Sequence, residues 1–233
     1  MVAPIIVALG GSLLYGDHDV KTWLGQLRQT LVHIEGNGRK IGLVVGGGKP
    51  AREGITLANE VISDRFRLDD IGIAATRLNA TILQKMLQEI GCNVAKSIPE
   101  TTTDAAAMFD SFNIVVMGGT KPGHTTDAVS VAFARDAGSA HVIIATNVSH
   151  VYTADQRKDQ SATAIEEMTL NDLSAITGTE SLKPGQSAAV DPIAVQWAKD
   201  ALLRIGVLDG RDIRRLEDAL EGRPFEGTLV RPE

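Results

Sequence analysis

The densest concentration of chemically capable residues is Gly118-Gly119-Thr120-Lys121-Pro122-Gly123-His124-Thr125-Thr126-Asp127. Three glycines, four small hydroxyl or carboxyl side chains and two potentially cationic residues stand between two apolar segments. The preceding Ile114-Val115-Val116 reads as a buried strand, and 126–137 reads as a helix with small residues on its packing face. A strand that opens through glycines into a helix start gathers free backbone N–H groups and the positive end of a helix dipole at one point. That arrangement suits a phosphate group. Thr125 or Thr126 can cap the helix, and their hydroxyls can donate to phosphate oxygens. His124, flanked by glycine and threonine, is better placed as a hydrogen-bond donor than as a general base.

Two further loops repeat the pattern. Ile5-Ile6-Val7-Ala8-Leu9 ends in Gly10-Gly11-Ser12. Ile41-Gly42-Leu43-Val44-Val45 ends in Gly46-Gly47-Gly48-Lys49, with Pro50-Ala51-Arg52 opening a helix. Proline is tolerated in a first helical turn, where its missing N–H costs nothing. In an α/β sheet ligands gather at the carboxyl ends of the strands, where all three loops fall. None of them has the spacing of a P-loop or of a dinucleotide fingerprint, so the phosphate chemistry belongs to another fold.

The elements that must position these loops alternate. Helices are expected at 20–35, 50–62, 68–90, 104–109, 169–176, 191–201 and 211–221. Strands are expected at 5–9, 41–45, 93–95, 114–116, 141–145, 203–208 and 227–230. In the long helix 68–90 the apolar face is read as Ile71, Ala74, Ala75, Leu78, Ile82 and Met86. Thr169 and Asp172 form a cap for their helix. The alternation predicts an α/β fold, a three-layer αβα sandwich around a mostly parallel sheet. The length of 233 residues fits one domain, with residues 1–135 as an acceptor-side lobe and 136–233 as a donor-side lobe. The Gly/Lys/Pro/Ser-rich stretch 177–187 is expected to be a mobile loop.

With 43% hydrophobic residues a sizeable core can be buried. A formal charge of −6 argues against a nucleic-acid groove, and 4% aromatic residues argue against a base-stacking platform. A nucleotide substrate needs only a few local cations. The single Cys92 excludes an intrachain disulfide and reads as a small buried apolar residue. His18, His33 and His141 show no metal-ligand spacing. No apolar run approaches a membrane span, and no secretory signal is recognisable, so no membrane partner and a cytoplasmic location are expected.

The same residues carry a resemblance. Gly10-Gly11-Ser12, Gly46-Gly47-Gly48-Lys49 with Arg52, Asp69-Asp70-Ile71-Gly72-Ile73 with Thr76-Arg77-Leu78-Asn79-Ala80, the 117–128 loop, Thr146-Asn147-Val148, Val151-Tyr152-Thr153-Ala154-Asp155 and Val190-Asp191-Pro192 together resemble the amino-acid-kinase superfamily. Within it the chain is similar to archaeal-type uridylate (UMP) kinases, to which the 118–127 loop is the most specific link. The resemblance implies transfer of the ATP γ-phosphoryl group to UMP, in pyrimidine nucleotide synthesis. It implies that Gly47, Asp69, Thr120, Lys121, Pro122, Gly123, His124, Thr125 and Thr126 bind UMP. It also implies that Gly11, Ser12, Gly48, Arg52, Thr146, Asn147, Tyr152 and Asp155 hold ATP, with Mg²⁺ on the nucleotide and no side-chain metal ligand assigned. A homo-oligomer, specifically a homohexamer, is implied as well.

Several positions keep a second reading. Asp69 and Asp70 would equally charge a helix start; Asp127 and Asp191 would equally cap helices or place a cation. Ala8 stands where many members carry a strand lysine, so Arg52 or Lys49 must supply the catalytic positive charge, with Asp127 beside them. Ser149-His150 replaces the Asp-Gly turn usual before the donor-side tyrosine, which would strain His150 if that position needs positive φ. Another small-acceptor kinase of the superfamily, and a non-catalytic nucleotide-binding or storage protein on the same fold, are the alternative functions.

Overall fold

In a computed structural model of the chain, residues 3–154, 159–178 and 189–233 are described. The elements run β1 (Ile5–Leu9), α1 (Ser12–Tyr15), α2 (Val20–Gly36), β2 (Ile41–Val45), α3 (Gly48–Ala58), α4 (Arg65–Glu89), α5 (Thr102–Met108), β3 (Ile114–Met117) and α6 (Thr126–Asp136). They continue with β4 (His141–Thr146), β5 (Val151–Tyr152), β6 (Ala164–Ile165), β7 (Glu167–Thr169), α7 (Leu170–Thr177), α8 (Pro192–Asp200), β8 (Arg204–Asp209), α9 (Ile213–Glu221) and β9 (Thr228–Arg231).

Unbroken Val/Ile/Leu runs make strands that are buried on both faces, as a covered parallel sheet requires. The seven-stranded sheet has the order β3-β2-β1-β4-β8-β9-β7, and β8–β9 is its antiparallel pair. One face is covered by an apolar layer that includes Phe109, Phe133, Val129 and Val195 from α5, α6 and α8. The other is covered by Leu27, Leu31, Leu83, Leu87 and Leu216 from α2, α4 and α9. The expected three-layer α/β architecture is therefore present. Register aligns Leu9 with both Val45 and Ala145, Val44 with Met117, and Thr146 with Asp209. The residues that follow these five strands consequently emerge in one row along the carboxyl edge of the sheet.

Thr169 caps α7 in a full capping box with Asp172, and Asp191 caps α8 with Pro192 in its first turn. The expected strand at 93–95 shrinks to a single bridge from Val94 to Ile114. The short helix α1, the β5–β6 hairpin and β7 were too brief for their periodicity to show. Most of the expected mobile stretch, residues 179–188, lies outside the described residues.

The apolar face assigned to the long helix needs correction. The residues of α4 that point into the core are Asn79, Ala80, Leu83, Gln84 and Leu87, whereas Leu78 and Ile82 are 54% and 44% exposed. The N-terminal part of α4 packs on α3 rather than on the sheet. Further along, the helix buries two amides, and each has its partner: Asn79 bonds the Gly46 and Gly47 carbonyls, and Gln84 donates to the Ala95 carbonyl at 2.9 Å. A satisfied amide can sit in a core at little net cost. A count of apolar residues alone therefore points to the wrong stripe.

Leu83 is fully buried against the sheet. Leu83→Ala should destabilise the chain by about 2–5 kcal/mol, the range for a buried leucine that leaves a cavity. Urea unfolding followed by circular dichroism checks this. A change under about 0.5 kcal/mol would contradict the packing described.

Candidate functional site

At the carboxyl edge the first two glycine loops touch through their backbones. Gly10 N–H donates to the Ala145 carbonyl at 2.9 Å, and Gly46 N–H donates to the Leu9 carbonyl at 2.9 Å. A Cβ on Gly11 would overlap the amide of Gly48, and one on Gly46 would lie 2.6 Å from the Gly11 nitrogen. Gly48 itself has φ +60°, in the left-handed region that glycine enters freely. Gly47 is the N-cap of α3 and supplies no side-chain cap. The first N–H groups of this 11-residue helix are thereby left for an external acceptor.

The third loop is held beside them by α4. Gly119 N–H donates to Thr76 Oγ1 at 2.6 Å, and Arg77 Nε donates to the Gly119 carbonyl at 3.3 Å. Arg77, unassigned from sequence, also pairs with Glu100 at 2.8 Å. Gly123 N–H donates to Asp69 Oδ2 at 2.9 Å, so Asp69 reaches the loop from α4. Gly123 has φ +83° and open space where a Cβ would project; its glycine requirement is conformational. Thr125, rather than Thr126, caps α6 by accepting from Ala128 N–H at 3.2 Å. Thr126 faces inward, its Oγ1 lying 3.2 Å from a Cβ built on Gly46. Thr120 and Pro122 are partly covered, and Lys121 is exposed. The His124 ring meets Trp197 edge-on at 5.2 Å. Burial, and then the charge of Lys121, hold its pKa below the usual histidine value against the opposing pull of Asp191. The neutral ring near pH 7 agrees with a donor role rather than a cationic one.

Asp127 follows at the start of α6. Burial pushes its carboxyl up to about 6; the Asp191 backbone N–H, donating to Oδ2 at 3.1 Å, works against this and the Asp191 charge adds to it. The residue keeps part of its surface, but its carboxyl is enclosed by protein, and the enclosure sets the shift. Asp191 Oδ1 accepts from Ile193 and Ala194 N–H, which makes Asp191 a helix cap. Of the two carboxylates, Asp191 is committed to the cap, and Asp127 is the one whose pKa the enclosure shifts.

Thr146 ends β4 and Asn147 follows it. The Thr146 carbonyl accepts from Gly210 N–H at 2.8 Å, and Arg211 donates to the Asn147 carbonyl at 3.3 Å while gripping Asp209. Tyr152 shares a 2.9 Å hydrogen bond with Ser149. Leu202 is the non-glycine residue at positive φ among the described residues, so the turn accepts His150 without that strain. Asp155 lies outside the described residues. Ser12 sits in the first turn of α1. Of the two candidate cations, exposed Lys49 pairs with Glu53 at 3.6 Å. Arg52, also exposed, has no ion pair among the described residues.

Tertiary contacts add residues that spacing did not single out: Tyr15, Trp197, Asp209 and Arg211. A signal existed for the last two, since they follow a strand whose carboxyl end meets the same edge. His33, unremarkable in sequence, lies with Glu217 and Glu221 in a group whose ligand-type atoms fall within 4.8 Å. These groups already satisfy one another and their neighbours: Glu221 pairs with His33 at 2.9 Å and also with Arg223, and Glu217 accepts from Thr30. Cys92 is partly buried, and burial lifts its thiol to about 11, an unreactive state.

With this geometry in place, residues 3–209 match the model of the amino acid kinase family. The chain belongs to that family. A uridylate kinase of Methanococcus maripaludis is 37% identical over 207 residues, 88% of this chain and 90% of that one. A uridylate kinase of Pyrococcus abyssi is 34% identical over 231 residues, 98% and 99% of the two chains. The crystal structure of uridylate kinase from Archaeoglobus fulgidus superposes with a TM-score of 0.85 at 31% identity, covering 97% of this chain and 99% of that one. The UMP kinase structure from Bacillus anthracis, at 24% identity and a TM-score of 0.80, attests the amino-acid-kinase fold alone.

The raised pKa of Asp127 has a definite sign. Between its usual value of 3.8 and about 6 the folded chain holds a proton that the unfolded chain releases, so stability falls as pH rises through this window. Asp127→Asn removes that fall. Urea unfolding at pH 4, 5, 6 and 7 should show wild type losing stability relative to the variant between pH 4 and 6, and parallel curves would contradict the enclosure of Asp127.

Proposed function

We propose that this chain is a uridylate kinase that transfers the γ-phosphoryl group of ATP to UMP, giving UDP and ADP for pyrimidine nucleotide synthesis in the cytoplasm. The observation that carries the reading is the meeting of the 118–127 loop with two glycine loops at one sheet edge, in a chain that aligns with uridylate kinases over 98% of its length. Residues 1–135 serve as the acceptor-side lobe and 136–233 as the donor-side lobe.

Acceptor binding falls to Gly47, Asp69 and the run Thr120, Lys121, Pro122, Gly123, His124, Thr125 and Thr126. Asp69 Oδ2 holds Gly123; its other oxygen has no hydrogen bond among the described residues and suits ribose hydroxyls. The N–H groups at the α3 start, together with the threonine hydroxyls, suit phosphate oxygens. Donor binding falls to Gly11, Ser12, Gly48, Arg52, Thr146, Asn147 and Tyr152, with Asp155 as the remaining member of that set.

Phosphoryl transfer asks the protein chiefly to align two phosphates and to neutralise equatorial oxygens. The acceptor is a phosphate monoester, largely ionised near pH 7, so no general base is needed. Arg52 supplies the mobile cation, a better candidate than Lys49, whose charge is offset by Glu53. Asp127 restrains charged groups at the point where the loops meet. Mg²⁺ carried by the triphosphate would supply further charge neutralisation, with no side-chain ligand assigned to it.

We further propose a homo-oligomer, a homohexamer by family likeness, with the α3–α4 face as one interface to a second copy. Leu57, Val61 at 86% exposure, Phe66, Leu78 and Ile82 expose apolar side chains on or between these two helices. Large apolar side chains exposed along two neighbouring helices suit an interface, and an isologous contact lets one face serve both partners.

Purified protein with ATP and Mg²⁺ should release ADP in the presence of UMP and not with an amino acid or an isoprenoid phosphate as acceptor; UMP-independent silence across all acceptors would leave a nucleotide-binding protein. In the same assay Asp69→Asn should weaken UMP binding by about 10–100-fold, the cost of losing a charged acceptor, with ATP affinity unchanged by calorimetry. Equal affinity for UMP would return Asp69 to a purely structural tie.

Val61→Glu should shift the sedimentation mass toward smaller species at equal concentration. An unchanged mass would move the interface elsewhere.

A further inference from the structure

Asn79 is fully buried, at 0% exposure, in the middle of α4. Its Nδ2 donates to the carbonyls of Gly46 at 2.8 Å and Gly47 at 3.1 Å, and its Oδ1 accepts from the Tyr15 hydroxyl at 2.7 Å. One side chain therefore ties the second glycine loop to the helix that follows the first. One turn earlier on α4, Thr76 Oγ1 accepts from Gly119 N–H and donates to the Ile73 carbonyl, each at 2.6 Å, and Arg77 Nε takes the Gly119 carbonyl. The acceptor loop is thus held on both its backbone groups by the same turn.

A Cβ on Gly118 would lie 2.7 Å from Thr76 Oγ1, so the loop is pressed onto the helix as well as bonded to it. Residues 76 and 79 are about 4.5 Å apart along a helix axis, a spacing the helical backbone does not let vary. Asn79 faces the Gly46–Gly47 loop and Thr76 faces the acceptor loop.

We propose that Asn79 is a positioning residue for phosphoryl transfer. With Tyr15 as its partner and Thr76 one turn earlier on the same helix, it sets the separation of the Gly46–Gly47 loop and the 118–127 loop through α4. The proposal rests on the uridylate kinase reading for what the loops hold. In-line transfer depends on that separation, and a misplacement of about 1 Å can cost about 10²-fold in rate. The Gly46–Gly47 loop offers backbone N–H groups whose placement the buried Asn79 amide behind it fixes, and the 118–127 loop is fixed by Thr76 and Arg77 of the same helix. Without Asn79 the buried Gly46 carbonyl would lose its partner, at a cost that exceeds what the hydrogen bond is worth in water, while the Gly47 carbonyl would keep the Ala51 N–H at 3.4 Å.

The test is a double-mutant cycle with Tyr15→Phe and Thr76→Val, each of which removes one hydroxyl from opposite ends of the relay. Each variant should lower kcat about tenfold or more, with both Michaelis constants within about threefold, the pattern of an interaction felt in the transition state. The double variant should fall well short of the product of the two effects, because coupled sites fail to add. Multiplicative losses, or unchanged kcat with only a lowered melting temperature, would overturn the proposal and leave Asn79 a core residue. Asn79→Asp keeps an acceptor for Tyr15 and loses both donors; if it folds it should lose more kcat than Tyr15→Phe, and rates no lower would count against the role. Hydrogen exchange in Asn79→Leu supplies an arm that needs no activity: the Gly119 amide should exchange at least about tenfold faster than in wild type, and unchanged protection there would overturn the coupling. Absence of UMP-dependent ADP release by wild type would instead sink the uridylate kinase reading, with the exchange result still deciding the relay.

Discussion

Everything at the carboxyl edge of the sheet depends on a contact between backbones that leaves no room for a side chain. Gly11 lies against the amide of Gly48, and Gly46 lies against Gly11. The parallel register of β1 and β2, with Leu9 opposite Val45, delivers both loops to the same height. Any Cβ at these positions would push the loops apart and turn their N–H groups away from a common point. Glycine here serves close approach, and at Gly48 it also serves a positive φ. The result is an edge at which backbone N–H groups gather without a cluster of cations, the kind of surface that suits phosphate. That explains how a chain of net charge −6 can handle anionic substrates.

Such an edge is soft unless something behind it is rigid, and α4 provides the backing. Its central turn offers polar side chains to two of the three loops while its C-terminal half packs Leu83 and Leu87 into the core. Buried amides on this helix are stable because their N–H groups meet backbone carbonyls. The carboxyl of Asp127 is enclosed as well: one backbone N–H from Asp191 answers it and draws its pKa down, while burial pushes it up by more. Polar groups in this fold are placed where the site needs stiffness, and the apolar layers surround them.

The outer side of α3 and α4 runs opposite to this logic. Leu57 on α3, Phe66 on α4 and Val61 between them are largely exposed, and yet these two helices carry Gly48 at one end and Asn79 in the middle. A second copy seated there would restrain the same helices that hold the loops. Assembly and site geometry would then share one structural element.

The sequence by itself determined much of this protein. Three glycine loops after apolar runs marked the carboxyl edge of the sheet. Alternating periodicities defined the three-layer sheet, and Thr169 with Asp172 marked a helix start. These signals are local: each depends on residues within a few positions, and local geometry allows few solutions for them. The 118–127 motif also carried the family likeness. What the sequence did not determine was decided by contacts between distant segments. The buried face of α4 passed through Asn79 and Gln84 instead of Leu78 and Ile82, because two amides found carbonyls 33 and 11 residues away in the chain. Lys49 and Arg52, equal on paper, were separated by Glu53 pairing with one of them. Tyr15 acquired a role because α1 brings its hydroxyl onto an amide 64 residues later. Asp209 and Arg211 joined the donor side because β8 lies next to β4. A one-dimensional pattern records hydrophobicity and turn chemistry, whereas the satisfaction of a buried polar group is a property of the folded chain alone.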